Sequence, residues 1–549
     1  MNFSFKNREH YIRELKNLQF DLLVIGGGIT GAGIALDATS RGLKVALIDM
    51  QDFAAGTSSR STKLIHGGLR YLKQLEFKLV AEVGKERKII HRIAPHLTRP
   101  EQMLLPLLKN GSFSKFSARL GMWIYERMAG VSKKEWHKFL SIEKSLVTEP
   151  LLNKKNLIGS IVFYEYRTDD ARLTIEVIKE SVARGVIALN YLKVVSFIYD
   201  KKIVRGVEVI DQLNDEKFIM HAKHIINASG PWVDELSILE NNNAKNKLQI
   251  TKGVHLVVDW KKLPVKQSLY FDAFDKRMLF IIPRDGKTYI GTTDTFYKEN
   301  KINPIITEED RNYILKCVND FFPQTNLKIS DIESAWAGLR PLISKPSKGP
   351  SEISRKDEMF ESDSGMLTIA GGKLTGYRKM AERIVDKVAK KIYLQDGIKI
   401  QKCITHHIEL SGGKLNGYEN FSEFIKDLSQ KGILLGLSIG DAETLIYRYG
   451  SNVLEIYRII EELKNEQNEL PIVIRAQIRY AIEYEMCANV TDFLIRRTGS
   501  LYFNFEVVKI YANSIFKYMQ SILNLNESAY HKFESEWHDA ILEIENIKK

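Results

Sequence analysis

The sequence predicts an α/β fold made of a parallel sheet flanked by helices, an antiparallel sheet and a helical C-terminal cap. Near the start of the chain, a glycine-rich turn lies between two short apolar segments, as in parallel strands joined by a helix. Between about residues 250 and 345, apolar and polar residues mostly alternate, which is typical of antiparallel strands. From about residue 400 onward, the pattern changes to long amphipathic helices.

The first apolar segment and the turn after it form a nucleotide-binding unit of the Rossmann type. Leu22–Ile25 is followed by Gly26, Gly28 and Gly31 in the spacing G-x-G-x-x-G. The first glycine permits a tight turn, the second lets the backbone approach a pyrophosphate, and the third lets the next helix pack closely on the strand. The phosphates are expected at the N-terminus of that helix, where N–H groups without helical partners attract negative charge.

An acidic residue ends the second strand of this unit. Lys44–Ile48 is followed by Asp49, whose carboxylate can accept hydrogen bonds from both ribose hydroxyls. Because an acid at this position favours a free 2′-hydroxyl, the sequence indicates FAD or NAD rather than NADP. A βαβ turn that binds nothing is the disfavoured alternative, since strand, glycines, helix, strand and acid occur in order.

Further elements follow the same rules of periodicity. Helices are predicted within residues 1–19 and at Phe77–Ile93, Leu173–Arg184, Arg378–Ile392, Asp441–Arg448, Leu454–Leu463, Arg475–Cys487 and Glu506–Asn524. Strands are predicted in Val186–Val209, as a hairpin around Tyr199–Lys202, and in His224–Asn227, Gly253–Val258, Met278–Pro283, Thr288–Thr292 and Met366–Ala370.

The strand Met366–Ala370 is followed by two glycines and a helix, which repeats the anion-binding arrangement of the N-terminus. The cofactor domain is therefore predicted to be discontinuous, and 549 residues exceed what one core usually supports. We predict a cofactor domain of residues 1–95, 150–250 and 345–399, a substrate-binding domain of 96–149 and 251–344, and a helical C-terminal domain of 400–549.

Composition restricts the class of protein. No segment approaches the roughly 18 consecutive apolar residues of a spanning helix, and the first residues lack the apolar centre of a signal peptide, so we expect a cytoplasmic protein. Three widely spaced cysteines form no C-x-x-C pair, which argues against a disulfide scaffold or a metal site. The net charge of +12 favours an anionic partner, but without a nucleic-acid-binding motif we expect no nucleic acid.

Motifs along nearly the whole chain, beginning with the Gly26–Asp49 unit, resemble one enzyme family. They are Thr57–Ser59, Lys63–Tyr71, Lys252–His255, Gly291–Asp294, Ala337–Leu342, Ser354–Arg355, Gly371–Thr375 and Glu485–Thr498. In this order they resemble the FAD-dependent, aerobic, membrane-associated glycerol-3-phosphate dehydrogenases. The resemblance implies a D-amino-acid-oxidase-like architecture, FAD, and oxidation of sn-glycerol 3-phosphate to dihydroxyacetone phosphate.

The resemblance and the nucleotide unit together give the cofactor-binding candidates. They are Gly26, Gly28, Gly31, Asp49, Thr57, Ser58, Ser59, Gly67, Gly68, Gly230, Gly371, Gly372, Lys373, Leu374 and Thr375. The hydroxyl groups of Ser58 and Ser59 could instead cap a turn or a helix, and Gly230 could belong to an ordinary strand-end turn.

A phosphorylated substrate calls for guanidinium groups, because their planar forks form paired, charge-assisted hydrogen bonds. Arg70, Arg340 and Arg355 are the candidates for the phosphate. Arg340 lies between apolar neighbours, where an unpaired charge would be costly. Tyr71 would position the substrate, and Asp275 lies near the site by resemblance alone, without an assigned role.

The catalytic candidates are His66, His255, Arg340 and Lys373. Oxidation of a secondary alcohol needs a base near the hydroxyl group, and either histidine could serve, although a structural role for each stays open. Lys373, at a helix start, would lie near the flavin ring and stabilise its charge on reduction.

Residues 109–139 combine seven lysines and arginines with six aromatic residues, a pattern that suits an anionic membrane surface as well as an ordinary solvated helix. The resemblance favours peripheral attachment to the inner face of the cell membrane and quinone as electron acceptor. In the resembling family, relatives that use oxygen carry an additional insertion in the middle of the chain, and 549 residues leave little room for it. A glycerol-3-phosphate oxidase that forms hydrogen peroxide is therefore kept only as the alternative function. A flavoprotein that binds RNA is a weaker alternative, and a homodimer is left open.

Overall fold

The computed structural model describes residues 3–66, 77–114, 119, 121–124, 126, 127, 132–344, 357–523 and 525–547. Its strands are β1 Gln19–Ile25, β2 Val45–Ile48, β3 Leu64–Ile65, β4 Thr98–Leu108, β5 Lys138–Leu140, β6 Leu157–Thr168, β7 Ile187–Leu189, β8 Leu192–Asp200, β9 Ile203–Asp211, β10 Lys217–Asn227, β11 Leu248–Asp259, β12 Ser268–Asp272, β13 Met278–Arg284, β14 Lys287–Gly291, β15 Thr295–Phe296, β16 Ile332–Ile343, β17 Glu358–Glu361 and β18 Leu367–Ala370.

The α-helices lie before, between and after these strands. They are α1 Arg8–Asn17, α2 Ile29–Ser40, α3 Phe77–Ile93, α4 Ile142–Thr148, α5 Asp170–Ala183, α6 Val233–Glu240, α7 Glu308–Phe321, α8 Tyr377–Asp396, α9 Phe421–Leu434, α10 Ile439–Tyr449, α11 Val453–Leu463, α12 Ile472–Tyr484, α13 Ser500–Phe503, α14 Phe505–Leu523 and α15 Glu527–Ile547. A π-helical turn, Asp492–Arg497, precedes α13.

The first sheet has the strand order β17-β18-β10-β1-β2-β7, with β9 paired to β10 and β8 paired to β9. The strands β18, β10, β1, β2 and β7 run parallel. The middle of β1 is completely buried, as expected for a parallel strand covered on both faces. The carboxyl ends of β1, β2, β10 and β18 therefore meet at one edge, where open α/β sheets bind ligands.

The second sheet has the order β15-β11-β14-β13-β12-β4-β6-β3, with β16 paired to β11 and β5 to β6. Its pairs are antiparallel except β4 with β12, which confirms the strands predicted from period-two alternation. The strand β6 lies within the segment 150–250, which we predicted for the cofactor domain, but it pairs with β4 in the second sheet. The short strand β3, within the predicted segment 1–95, also joins this sheet.

The C-terminal part is helical, as the sequence predicts, and shares a core with the first sheet. Cys487, Phe493, Val508 and Trp537 pack in the same buried cluster as β1. Helices α9 to α12 also form a smaller core of their own. Within the described ranges, no helix is both long and apolar enough to cross a membrane.

Candidate cofactor cleft and adjoining cavity

A cleft of about 650 Å³ runs along the edge where the parallel strands end. It brings together Gly26, Gly28, Asp49, Thr57, Ser58, Gly230, Gly371, Gly372, Lys373 and Leu374, all predicted from the sequence as cofactor-binding residues. Gly31 and Ser59 are buried and do not line the cleft, and Thr375 lines a neighbouring cavity. Gly67 and Gly68 lie outside the described residues. The volume is in the range of small-molecule and cofactor sites.

The glycine-rich turn leaves room only for a backbone. Gly26 has φ +115°, and a Cβ atom there would lie 2.5 Å from the carbonyl oxygen of Ala228. A Cβ atom on Gly31 would overlap the carbonyl oxygen of Gly26. These positions fit the roles that the sequence predicts, a tight turn at Gly26 and close packing of α2 at Gly31.

The N-terminus of α2 begins at this turn and faces the cleft. Gly28 is its N-cap and provides no side-chain cap. The hydroxyl group of Ser58 instead accepts a hydrogen bond of 2.9 Å from the N–H of Ile29. Ser58 is therefore both a helix cap, as the alternative interpretation expected, and a neighbour of the expected pyrophosphate position.

Asp49 lies at the end of β2 and is oriented by two backbone groups. Its Oδ2 accepts a hydrogen bond from the N–H of Gly27 at 2.6 Å, and its Oδ1 accepts one from Gln51 at 2.8 Å. Burial raises the pKa of Asp49 to about 7, and the nearby negative charge of Asp52 adds to the rise. A pair of ribose hydroxyl groups would supply the donors that favour the ionised form.

A second cavity of about 360 Å³ adjoins the cleft, and residues of the Gly371–Thr375 motif line both spaces. Lys373 and Leu374 lie at the junction. His66, His255 and Arg340 line the second cavity. The structure therefore brings these sequence candidates together, although they come from the end of β3, from β11 and from β16.

Arg340 lies on β16 and is fixed by groups from the loop after β14. Its Nη1 is 3.1 Å from Oδ1 of Asp294, and its Nη2 donates to the hydroxyl group of Thr292 at 3.0 Å. A Cβ atom on Gly253 would overlap the guanidinium group, so the glycine provides its space. The cost of an unpaired charge at Arg340 could be predicted from the sequence, but its partner Asp294 could not, although this residue lies in the Gly291–Asp294 motif.

The two histidines differ in environment. His255 is 1% exposed and stacks on Trp336 with ring centroids 4.8 Å apart. Its Nε2 is 3.0 Å from the hydroxyl oxygen of Thr62. Burial lowers the pKa of His255 well below its usual value, and the charges of Arg340 and Lys63 lower it further. His66, directly after β3, is half-buried in the cavity wall.

Of the other residues predicted to bind substrate, Asp275 lies beside the second cavity but does not line it. Oδ2 of Asp275 lies 2.6 Å from Nε of Arg277, and Oδ1 of Asp275 accepts a hydrogen bond from the hydroxyl group of Tyr313 at 3.2 Å. Its neighbours Lys276 and Arg277, which sequence reasoning missed, line the cavity. The sequence feature that could have indicated them is the pair of basic residues directly after Asp275. Arg70, Tyr71 and Arg355 lie outside the described residues.

Comparison with known proteins identifies two matching families. A model of the FAD dependent oxidoreductase family matches residues 21–378. A model of the C-terminal domain of alpha-glycerophosphate oxidase matches residues 403–530.

Curated relatives match over almost their full lengths. The chain is 50% identical to the aerobic glycerol-3-phosphate dehydrogenase of Staphylococcus haemolyticus, over 99% of this chain and 98% of that protein. It is 49% identical to the protein of the same name from Bacillus subtilis, over 99% of each.

Among solved structures, the glycerol-3-phosphate dehydrogenase of Bacillus halodurans, complexed with FAD, is 44% identical, with a TM-score of 0.85 and coverage of 98% of both chains. The L-alpha-glycerophosphate oxidase of Mycoplasma pneumoniae is 17% identical, with a TM-score of 0.54 over 70% of this chain and 97% of that chain. The latter likeness concerns the fold alone.

Proposed function

The chain belongs to the family of aerobic FAD-dependent glycerol-3-phosphate dehydrogenases, and on this basis we propose that it oxidises sn-glycerol 3-phosphate to dihydroxyacetone phosphate. FAD is its cofactor, and when bound it supplies the hydride acceptor. The observation that carries the proposal is the junction at Lys373 and Leu374, where a cavity containing cationic groups opens onto the glycine-lined cofactor cleft.

Arg340 binds the phosphate group of the substrate in this proposal. Its guanidinium group lies in the cavity wall, and Asp294 and Thr292 hold it in one orientation. Arg277 and Lys276 add positive charge in the same cavity. A dianionic phosphate favours such a cluster, because each charge-assisted hydrogen bond contributes more than a neutral one. Arg70 and Arg355 stay as predictions from the sequence for the same group.

His66 accepts the proton of the substrate hydroxyl group. It is the more accessible histidine of the cavity, whereas His255 is enclosed by Thr62 and Trp336. A general base needs a pKa near the working pH, and the lowered pKa of His255 makes that imidazole a weak proton acceptor. His255 instead remains neutral and helps Thr62 to shape the wall of the cavity.

Lys373 provides positive charge where the two spaces meet. It precedes the turn Leu374–Gly376 at the start of α8. A cation fixed at this position stabilises negative charge that develops during hydride transfer, and a preformed site needs little reorganisation. Tyr71 stays a predicted substrate-positioning residue, and Asp275 has no assigned role in the reaction.

Quinone is the electron acceptor that we propose, with the protein attached peripherally to the inner face of the cell membrane. Trp123 is 51% exposed and Arg127 lies 4.7 Å from its ring centroid. Arg119 lies 5.7 Å from the ring centroid of the exposed Phe139. Exposed aromatic rings beside cations suit an anionic headgroup layer.

Steady-state turnover tests the reaction and the acceptor together. Purified holoenzyme is given glycerol 3-phosphate with a soluble quinone analogue, and quinone reduction and hydrogen peroxide are both measured in air. We expect quinone reduction that greatly exceeds peroxide formation. Stoichiometric peroxide would make the protein an oxidase, and no turnover with either acceptor would contradict the proposed reaction.

A further inference from the structure

The motif Glu485–Thr498 in the helical cap has no part in the reaction proposed above. Its two arginines, Arg496 and Arg497, lie at the end of the π-helical turn Asp492–Arg497 and are buried. Both point at one carboxylate from the opposite end of the chain, that of Asp52.

Asp52 is enclosed by the cap. Arg497 forms a bidentate pair with it, Nη1 to Oδ2 at 2.7 Å and Nη2 to Oδ1 at 2.9 Å. Nε of Arg496 donates to Oδ2 at 2.5 Å. The amide of Asn190 donates to Oδ1 of Asp52 at 2.9 Å and to the backbone oxygen of Met486 at 3.0 Å. Paired, fully buried hydrogen bonds of this type hold the Asp52 side chain in one orientation.

The segment that Asp52 anchors forms part of the cofactor cleft. It begins at Asp49, and Met50, Gln51, Ala55 and Gly56 line the cleft with it. Gln51 is the residue whose N–H orients the Asp49 carboxylate. The N–H of Ala54 donates to the backbone oxygen of Gly27 at 3.0 Å, which joins the same segment to the glycine-rich turn.

Both arginines also form ion pairs with Asp52, whose negative charge lies close to Asp49. Asp52 lies near enough to Asp49 to raise its pKa, while Arg496 acts in the opposite direction. On the cap side, Arg497 donates to the backbone oxygen of Glu485 at 2.8 Å, and Glu485 is paired with Arg172 at 2.7 Å. Both the position and the charge of the segment therefore depend on the cap.

We propose that the cap motif retains the cofactor: Arg496 and Arg497 are positioning residues that hold Asp52 and thereby place Asp49 for the adenosine ribose of FAD. The proposal rests on FAD as the cofactor and does not depend on the substrate. It assigns to the C-terminal domain a role in cofactor affinity although its arginines lie behind the cleft wall.

Flavin affinity of deflavinated protein tests this role. We expect Arg497→Lys, which keeps the charge and loses the bidentate geometry, to weaken FAD binding by about tenfold or more. Titration of apoprotein with FAD, followed by flavin fluorescence, gives the affinity, and circular dichroism of the apoprotein verifies folding. Arg496→Lys provides a second variant if Arg497→Lys does not fold. Arg475→Lys is the matched control, since this buried cap arginine bonds to Leu470 and Glu466 instead.

A double-mutant cycle separates positioning from general stability. If Arg497 acts through Asp49, then Arg497→Lys should weaken FAD binding by less than about threefold when Asp49→Asn is already present. Folded Arg497→Lys protein with unchanged FAD affinity, an equal loss in Arg475→Lys, or additive effects in the cycle would each overturn the proposal. Failure of the reaction with glycerol 3-phosphate would leave these binding results untouched.

Discussion

Asp49 links the cofactor site to pH. Its pKa is raised to about 7 by burial, so the carboxyl group of the apoprotein is largely protonated below that value. Hydrogen bonds from ribose hydroxyl groups favour the carboxylate, so FAD binding releases this proton at low pH.

We therefore predict that FAD affinity falls as the pH decreases through 7 and is about tenfold lower at pH 6 than at pH 8. Fluorescence titration of apoprotein between pH 5.5 and 8 measures this dependence. Asp49→Asn should bind FAD more weakly at pH 8 and lose most of the dependence. A wild-type affinity that rises toward pH 6 would contradict the assignment.

Arg340 should determine affinity for the phosphate group but not for the flavin. We predict that Arg340→Ala lowers kcat/KM for glycerol 3-phosphate by about tenfold to about two-hundredfold, the range for a charged hydrogen bond. The flavin absorbance of the purified variant should match that of the wild type. Asp294→Asn, which keeps the guanidinium group but weakens its orientation, should give a smaller loss. Loss of flavin from Arg340→Ala would contradict the assignment.

The two histidines give opposite expectations. We predict that His66→Asn lowers kcat by roughly a hundredfold or more, the contribution of a general base. His255→Asn should lower kcat by less than about tenfold, because an amide can retain the contact with Thr62. Rates measured at saturating substrate across pH 6–9 compare the variants. A larger loss in His255→Asn would exchange the two roles.

At the scale of elements, the nucleotide site depends on the close packing of helix α2 against the glycine-rich turn at Gly26. We predict that Gly31→Ala destabilises the protein by a few kcal/mol and abolishes flavin retention, since the new Cβ atom would overlap the carbonyl oxygen of Gly26. Thermal unfolding and flavin content measure both effects. Gly376→Ala is the matched control, since a Cβ atom there meets no other atom within 4 Å. Equal tolerance of both changes would contradict the packing role.

The sequence predicts those features that depend on neighbouring residues. The turn at Gly26, the acid at Asp49 and the period-two strands of the second sheet follow from local patterns, and their elements are found in place. The burial of His255 could not be predicted, because Thr62 and Trp336 come from distant segments.

Ion pairs between residues that lie far apart in the sequence could not be predicted from local patterns either. Asp294 pairs with Arg340 from the loop after β14, 46 residues earlier in the chain, and Asp52 meets the cap more than four hundred residues away. The pairing of β6 with β4, on the other side of the predicted domain boundary at residue 150, could not be predicted either, because the partner of a strand is chosen by the whole sheet rather than by its own periodicity.

At the scale of the whole molecule, the exposed aromatic residues of segment 109–139 and the net charge of +12 predict binding to anionic membranes. We predict that Trp123→Ala weakens sedimentation with anionic phospholipid vesicles by several-fold and that added salt weakens binding of the wild type. Trp260→Ala, a change at an exposed tryptophan outside the segment, is the control. Equal binding of both variants would exclude Trp123 from the membrane contact.

Anaerobic mixing of the holoenzyme with glycerol 3-phosphate, followed through the flavin absorbance, most directly tests the claim that the cationic cavity delivers this substrate to FAD. We predict rapid bleaching of the oxidised flavin band in the wild type, and slow bleaching at the same substrate concentration in Arg340→Ala with its flavin still bound. A fully flavin-loaded wild-type protein whose absorbance stays unchanged would contradict it.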